Sequence, residues 1–537
     1  MRPFLALTMV QFLAFGMIAP VAQAQSAGAL PISPIRHVVV IFQENVSFDH
    51  YFGTYPNAAN LEGEPAFQAK EGTPTVNGLT NATLTKNPNA FNTANGTGMT
   101  GPFRLARSQA ATSDQNHNYG PEQSASHSGL MDLFPASVGV AGPPPAPASP
   151  IPAIYSTTGL TMGYFDGNTV TALWNYAQRF AMNDNSYGTT YGPSTPGAVN
   201  LVSGQTNGVV GNINGTGSVI ADGNGGLTDI GDADPLGDVC STTTGELFSM
   251  TGPTIGDMLN TAGVTWGFFT QGFDLTVTNA NGTTGCARST TSAVTATKKA
   301  DYIPHHEPFQ YYKSTANPTH ARPKGLSTIG YTDAANHQYD MHDFYDAINA
   351  GNFPAVSFLK APGYQDGHAG YSDPLDEQAF IVQVVNFLQS PAADWEHTVV
   401  VIAYDDSDGW YDHQLGPIAN QSTTSADSLT GPGTCGNGTT ALPGVAGTAP
   451  AQGRCGYGPR LPLMVISPWA KQNYVDHTVT DQTSIIRFVE DNWLGGQRLG
   501  QGSFDALANS IAGMLDFTKQ NQRTLILDPN SGLPVAQ

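Results

Sequence analysis

Charge is what this sequence has least of. Of its 537 residues, 12% are Asp, Glu, Lys or Arg, against about 25% in an ordinary globular chain. That small set is acidic, with 21 Lys and Arg against 42 Asp and Glu and a formal charge of −21. The shortage of basic residues excludes nucleic acid or an anionic membrane held by bulk charge, because both are captured by basic surface. An anion held at a local site stays possible. With 40% hydrophobic residues the chain is no disordered polyelectrolyte, and its length can bury a large core. There is no Walker A sequence, so a P-loop nucleotide site is not indicated.

Cysteine is also scarce. The four residues Cys240, Cys286, Cys435 and Cys455 have no zinc-type spacing. Nearest-neighbour pairing, Cys240–Cys286 and Cys435–Cys455, is expected in an oxidising compartment. Long apolar runs are confined to the start. Arg2 precedes the run Phe4–Ile18, and Ala22-Gln23-Ala24 has the small-x-small form of a cleavage site. Residues 1–24 therefore read as a signal peptide for export to the periplasm or beyond, without a twin-arginine pair. No later stretch is long enough for stable membrane insertion.

What is abundant is glycine, 60 residues, and proline, 38. They gather in residues 57–110, 200–252 and 421–456 and in the Pro-rich stretch Val138–Pro152. Between them lie continuous β-branched runs, Val38–Phe42, Ala355–Leu359, Thr398–Tyr404 and Leu463–Ile466, of the kind buried on both faces of a sheet. Helix-like segments alternate with them. Thr169–Phe180 starts at an Asn168 or Thr169 cap, Pro374–Gln389 at an Asp373 cap, and Thr483–Trp493 follows Asp481. The pattern predicts an α/β fold, a mostly parallel central sheet with helices on both faces and long loop insertions. Residues 25–537 are expected to form one domain, with 200–350 partly a cap.

Two acidic clusters stand directly after strand-like runs, where open α/β sheets bind ligands. Glu44-Asn45 follows Val38–Phe42, and a carboxylate beside an amide offers oxygen ligands to a hard cation. Asp405-Asp406 follows Thr398–Tyr404, and adjacent carboxylates at a strand end need a cation or a proton to neutralise them. Asp412-His413, just beyond, could be a carboxylate–histidine pair behind a metal ligand, but alone it reads as an ordinary surface pair. Ser194, in Tyr191-Gly192-Pro193-Ser194-Thr195-Pro196-Gly197, has the setting of a nucleophile at a helix N-terminus, where the dipole and amides favour an anion. Read alone it is more readily an ordinary turn serine. Pro196 rules out the Gly-x-Ser-x-Gly elbow. His117, His306 and His368 sit in polar, Pro-flanked and Gly-flanked loops, and histidines can bind a phosphoryl group or protonate a leaving oxygen.

In this order the motifs resemble the bacterial phosphoesterase family, which holds the non-haemolytic phospholipases C and acid phosphatases of the AcpA type. The matching pieces are Glu44-Asn45 with Ser47-Phe48-Asp49 and Tyr51-Phe52-Gly53, then Gly192-Pro193-Ser194, then His306-Glu307-Pro308-Phe309. They continue through Tyr404-Asp405-Asp406 to Asp412-His413, then Gly458-Pro459-Arg460, Val475-Asp476-His477 and Asp481-Gln482-Thr483-Ser484. The resemblance implies an alkaline-phosphatase-like fold. It implies Ser194 as a nucleophile that forms a phosphoserine, and one divalent metal ion held by Glu44, Asn45, Ser194, Asp405 and Asp406. It places His117, His306 and His368 around the phosphoryl group of a small phosphate-ester substrate. The phospholipase C branch carries Tyr-Asp-Glu and a threonine nucleophile. Asp406 and Ser194 are similar to the acid-phosphatase branch. A phosphomonoesterase is the leading expectation, with a phospholipase C or other phosphodiesterase next, and a non-catalytic secreted binding protein as the reading of another class.

Overall fold

The computed structural model describes residues 28–143, 153–215, 217–439, 442, 450–520 and 524–535. The expected signal peptide and residues 144–152 of the Pro-rich stretch lie outside them.

The core is an eight-stranded sheet. Its strands are β1 (His37–Gln43), β2 (Ala181–Asn183), β3 (Trp266–Thr270), β4 (Gln338–Tyr339), β5 (Val356–Lys360), β6 (Thr398–Tyr404), β7 (Leu463–Ile466) and β8 (Tyr474–Asp476). Across the sheet they run in the order β4-β3-β5-β1-β6-β7-β2-β8. Every strand is parallel to the others except β7, which is antiparallel to both its neighbours. At the centre, Ile41 of β1 pairs with Leu359 of β5 and Gln43 pairs with Tyr404 of β6. Val38, Val39, Val40 and Ile41 are all fully buried. Successive strand residues point to opposite faces, so both faces are covered.

Helices supply that cover. They include α1 (Phe48–Phe52), α2 (Tyr119–Ser126), α3 (Thr171–Arg179), α4 (Ser194–Ser203), α5 (Ile255–Ala262), α6 (Met341–Asn349), α7 (Pro374–Leu388) and α8 (Thr483–Trp493). Helix α4 packs on α5 and α8, and α3 packs on α7. As expected, Asp373 caps α7, accepting from the amides of Leu375 and Asp376. The cap expected for α3 is different. The helix begins at Thr171 without a side-chain cap, because Asn168 Oδ1 is taken by the amide of Asn60 at 2.7 Å.

Residues 200–350 build small sheets outside the core, among them Val209–Ile213 with Leu247–Met250 and Asp234–Pro235. The same stretch also supplies β3, β4 and α6 to the core. Both expected disulfides are present, Cys240–Cys286 and Cys435–Cys455. Among the described residues, no helix is long and apolar enough to cross a membrane.

Candidate active site

The three central strands β5, β1 and β6 end side by side, and the segments leaving them form the site. Glu44 and Asn45 leave β1, Asp405 and Asp406 leave β6, and Lys360 closes β5. Backbone bonds lock these exits together. The Glu44 amide donates to Asp366 O at 2.8 Å, the Asp405 amide to Gln43 O at 3.2 Å, and the Val46 amide to Asp406 O at 3.0 Å.

Helix α4 brings Ser194 over these strand ends. Its approach needs Gly197, because a Cβ there would stand 2.3 Å from Asp405 O. Gly192, two residues before Ser194, has φ of 120°, a left-handed conformation that glycine tolerates. Ser194 Oγ donates to Glu44 Oε2 at 2.9 Å and to Asp406 Oδ2 at 3.3 Å. The helix N-terminus offers fewer amides than the sequence suggests. The Thr195 amide is occupied by Asp232 Oδ1 at 2.9 Å, and Pro196 has none.

The histidines complete the cluster. His306 Nδ1 lies 3.2 Å from Glu44 Oε1 and 3.9 Å from Asp366 Oδ2. His117 Nδ1 contacts Gln115 O at 2.8 Å and Asp408 Oδ1 at 3.1 Å, and its Nε2 lies 3.4 Å from Asn45 Nδ2. The ring of His368 stands edge-on to that of His117, with centroids 5.7 Å apart, and its Nδ1 contacts Ala369 O. All eight residues singled out in the sequence converge here, from segments as far apart as Glu44 and Asp406.

Almost all of these groups are buried, and their acidities show it. Burial, with Glu44 beside it, pushes Asp405 well above the ordinary carboxylate range. Asp406 is pushed up by burial against the pull of His117. Glu44 goes the other way. Burial opposes its charge, but His306 and Lys360 outweigh burial and hold it well below its usual value. His117 is likewise raised against burial, by the carboxylates of Asp406 and Asp408. Burial lowers His306 and His368.

The oxygen donors fit a hard divalent cation. Asn45 Oδ1 and Asp405 Oδ2 are buried and have no hydrogen-bond partner among the described residues, and Asp405 and Asp406 are carboxyls that protons or a cation must neutralise. Ligand atoms of Glu44, His306 and Asp366 also gather within 4.8 Å of one another, as do those of Asp114, His117 and His368.

Four participants were missed in the sequence. Lys360 contacts Glu44 Oε1 directly and lies 3.9 Å from Asp405 Oδ2. Asp366 accepts from Tyr371 OH at 3.1 Å. Asp408 anchors His117. Glu122, five residues after His117, accepts from Ser407 Oγ at 2.5 Å and from the Gly192 amide at 3.1 Å, joining the Asp406 segment to the one that carries Ser194. Burial pushes Glu122 up to about 7. One expectation is corrected. Asp412 is buried, not on the surface, and its partner is Arg460, while His413 Nδ1 pairs with Asp49 Oδ2 at 2.6 Å.

A family model described as the phosphoesterase family matches residues 35–494. The chain belongs to the phosphoesterase family. Within it, the chain is 25% identical over 486 residues to the non-haemolytic phospholipase C of Pseudomonas aeruginosa, an alignment that covers 87% of this chain and 56% of that protein. It is 24% identical over 484 residues to phospholipase C A of Mycobacterium tuberculosis, covering 88% of this chain and 76% of that one. The chain thus spans little more than half the length of the Pseudomonas relative. Murine ectonucleotide pyrophosphatase/phosphodiesterase 5 overlays 65% of this chain and 95% of its own at 12% identity with a TM-score of 0.31, a loose likeness.

Proposed function

We propose that this member of the phosphoesterase family is an exported acid phosphatase that hydrolyses small phosphate monoesters through a phosphoserine at Ser194. The observation that carries the reading is the placement of Ser194 Oγ at the start of α4, bonded to both Glu44 and Asp406. A nucleophilic hydroxyl needs an adjacent group to take its proton or stabilise its alkoxide. One divalent cation held by Glu44, Asn45, Ser194, Asp405 and Asp406 would supply Lewis-acid polarisation and neutralise developing charge.

The chain's own residues do the rest. The hydroxyl proton of Ser194 faces carboxylates that can accept it, so Oγ is aimed and activated together. Oγ bonds to phosphorus as the bond from phosphorus to the ester oxygen breaks. His117 gives a proton to the leaving alcohol. Its Nδ1 is anchored on Gln115 O and Asp408, which leaves Nε2 on the side of Asn45. His306 and His368, whose pKa values burial lowers, position the phosphoryl oxygens. Water then hydrolyses the phosphoserine, releasing phosphate and restoring the hydroxyl. Phosphoryl transfer asks mainly for this positioning and charge stabilisation. Both disulfides support an oxidising compartment.

Monoester choice rests on Ser194 and Asp406, the residues typical of the acid-phosphatase branch. The names of the relatives favour a second reading, a phospholipase C that cleaves phosphodiester headgroups. Turnover of p-nitrophenyl phosphate against p-nitrophenyl phosphorylcholine separates the two, and hydrolysis of neither would leave a non-catalytic binding protein. Ser194→Ala is expected to lower turnover by roughly 10³-fold or more. A variant with full activity would remove the nucleophile assignment.

A further inference from the structure

Lys360 has no part in the chemistry above, yet among the described residues it is the lysine set against Glu44 and Asp405. It is the last residue of β5, 2% exposed, and its register beside β1 sets its ammonium against Glu44 Oε1. Asp405 Oδ2 is 3.9 Å away. The aliphatic stem runs beside Phe42, with Nζ 5.5 Å from the ring centroid. Nothing exposes Nζ to a substrate, and a buried ammonium is retained only against strong anionic compensation.

The charges around it explain why it is there. Glu44, Asp366, Asp405 and Asp406 are four carboxyls in one water-poor space, and Glu44 Oε1 is shared between Lys360 and His306. A divalent cation cancels two of the four negative charges, and Lys360 cancels a third. Lys360 stands where a second cation would otherwise be drawn to Glu44. The same charge repels the ion that the site does bind, and it competes for Glu44, a ligand to that ion.

We propose that Lys360 is a built-in counter-cation of the carboxylate cluster, which holds the metal-free site together and weakens the site's grip on its divalent ion. The inference rests on the metal-site reading given above. It makes two effects of opposite sign. Removing the charge should strengthen metal binding, by roughly tenfold or more, since like charges this close in a buried site interact strongly. It should also lower the melting temperature of the metal-free protein, because four carboxyls then face one another without a fixed cation. A merely structural lysine would lower the melting temperature without tightening metal binding.

The test is titration calorimetry of the full, metal-stripped chain with Mg²⁺, Mn²⁺ and Ca²⁺, alongside thermal melts with and without the tightest of them. Wild type is compared with Lys360→Met, which keeps the stem, and Lys360→Gln, which keeps an N–H donor for Glu44. Tighter binding with a lower metal-free melting temperature supports the proposal, and so does a variant that folds only with metal present. Binding unchanged or weakened in a folded variant overturns it, as does a variant unfolded both with and without metal. A wild-type chain that binds none of the ions would instead refute the metal-site reading.

Discussion

Replacing Arg460 with methionine tests how the two halves of the site are fastened together. Arg460 is fully buried. Its Nε donates to Asp412 Oδ2 at 3.1 Å, Nη2 to Asp49 Oδ1 at 3.0 Å, and Nη1 to Asp184 O at 2.9 Å and Asn77 O at 2.5 Å. The guanidinium also lies 4.4 Å from the centroid of the Phe48 ring. Asp49 lies in the first turn of α1, just beyond Glu44-Asn45, and Asp412 lies just beyond Asp405-Asp406. The Asp49 amide donates to Asp412 Oδ2 at 3.1 Å, and Ser47 Oγ to Tyr411 O at 2.8 Å. Arg460 is therefore the cation that lets two carboxylates meet at this seam. Removing one partner of a buried ion pair costs about 3–5 kcal/mol, chiefly from the charge left unpaired. Two carboxylates lose their partner here, although His413 remains on Asp49, so we expect Arg460→Met in the upper half of that range. Urea denaturation at neutral pH measures it. If unpaired charge is the cause, adding Asp49→Asn and Asp412→Asn to Arg460→Met recovers part of the loss. A cost under about 1 kcal/mol, or a triple variant no more stable than the single one, would refute the reasoning.

Glu377 is expected to give the fold a pH dependence. Burial pushes its pKa from 4.5 up to about 8, although Tyr404 and Tyr51 donate to it at 2.6 and 2.7 Å. Its contribution is full below about pH 4.5 and is lost as pH rises through 8, so stability falls by about 1.4 kcal/mol per pH unit in that window. Glu377→Gln should flatten the slope by one proton, and parallel stability curves for variant and wild type would argue against it. Ionic strength should act on the rate. A chain of net charge −21 repels a dianionic ester, and salt screens that repulsion. We expect kcat/KM for p-nitrophenyl phosphate to rise with added salt at fixed metal, whereas a steady fall would reveal a basic steering surface.

The centre of the fold was readable in the sequence, and its edges were not. Val38–Phe42 and Thr398–Tyr404 are long enough to carry a pattern, while Ala181–Asn183 and Gln338–Tyr339 are too short to show one. Trp266–Thr270 went unread although it is aromatic, because Gly267 breaks the run. Leu463–Ile466 read correctly as a strand, but apolar residues look the same in either direction, and β7 runs against its neighbours. In the site, the carboxylates were visible because acidic pairs after buried strands are rare in a chain so poor in charge. Lys360 was invisible for a physical reason. A lysine ending an apolar strand usually carries its ammonium out to water, and only the register of β5 beside β1 points it at Glu44. Asp412 read as a surface residue beside His413, since its true partner, Arg460, is 48 residues further on.

The scarcity of charge and its concentration at the strand ends belong together. A buried charge is tolerated only where another is fixed beside it. Two buried arginines elsewhere follow this rule. Buried Arg288 meets Asp340 at 2.7 Å and Asp301 at 3.5 Å, and buried Arg460 meets Asp49 and Asp412. Around Glu44 the rule is broken. Four carboxyls share one lysine and histidines whose pKa values shift in opposite directions, His306 and His368 lowered by burial and His117 raised by Asp406 and Asp408 against burial. Protons can close the gap, which is what the raised pKa values of Asp366, Asp405 and Asp406 record. A divalent ion closes it as well, and unlike a proton it leaves the carboxylates ionised around the Ser194 hydroxyl. That gathering of carboxyls around one lysine is the physical argument for a cation at the strand ends and for an anionic substrate above it.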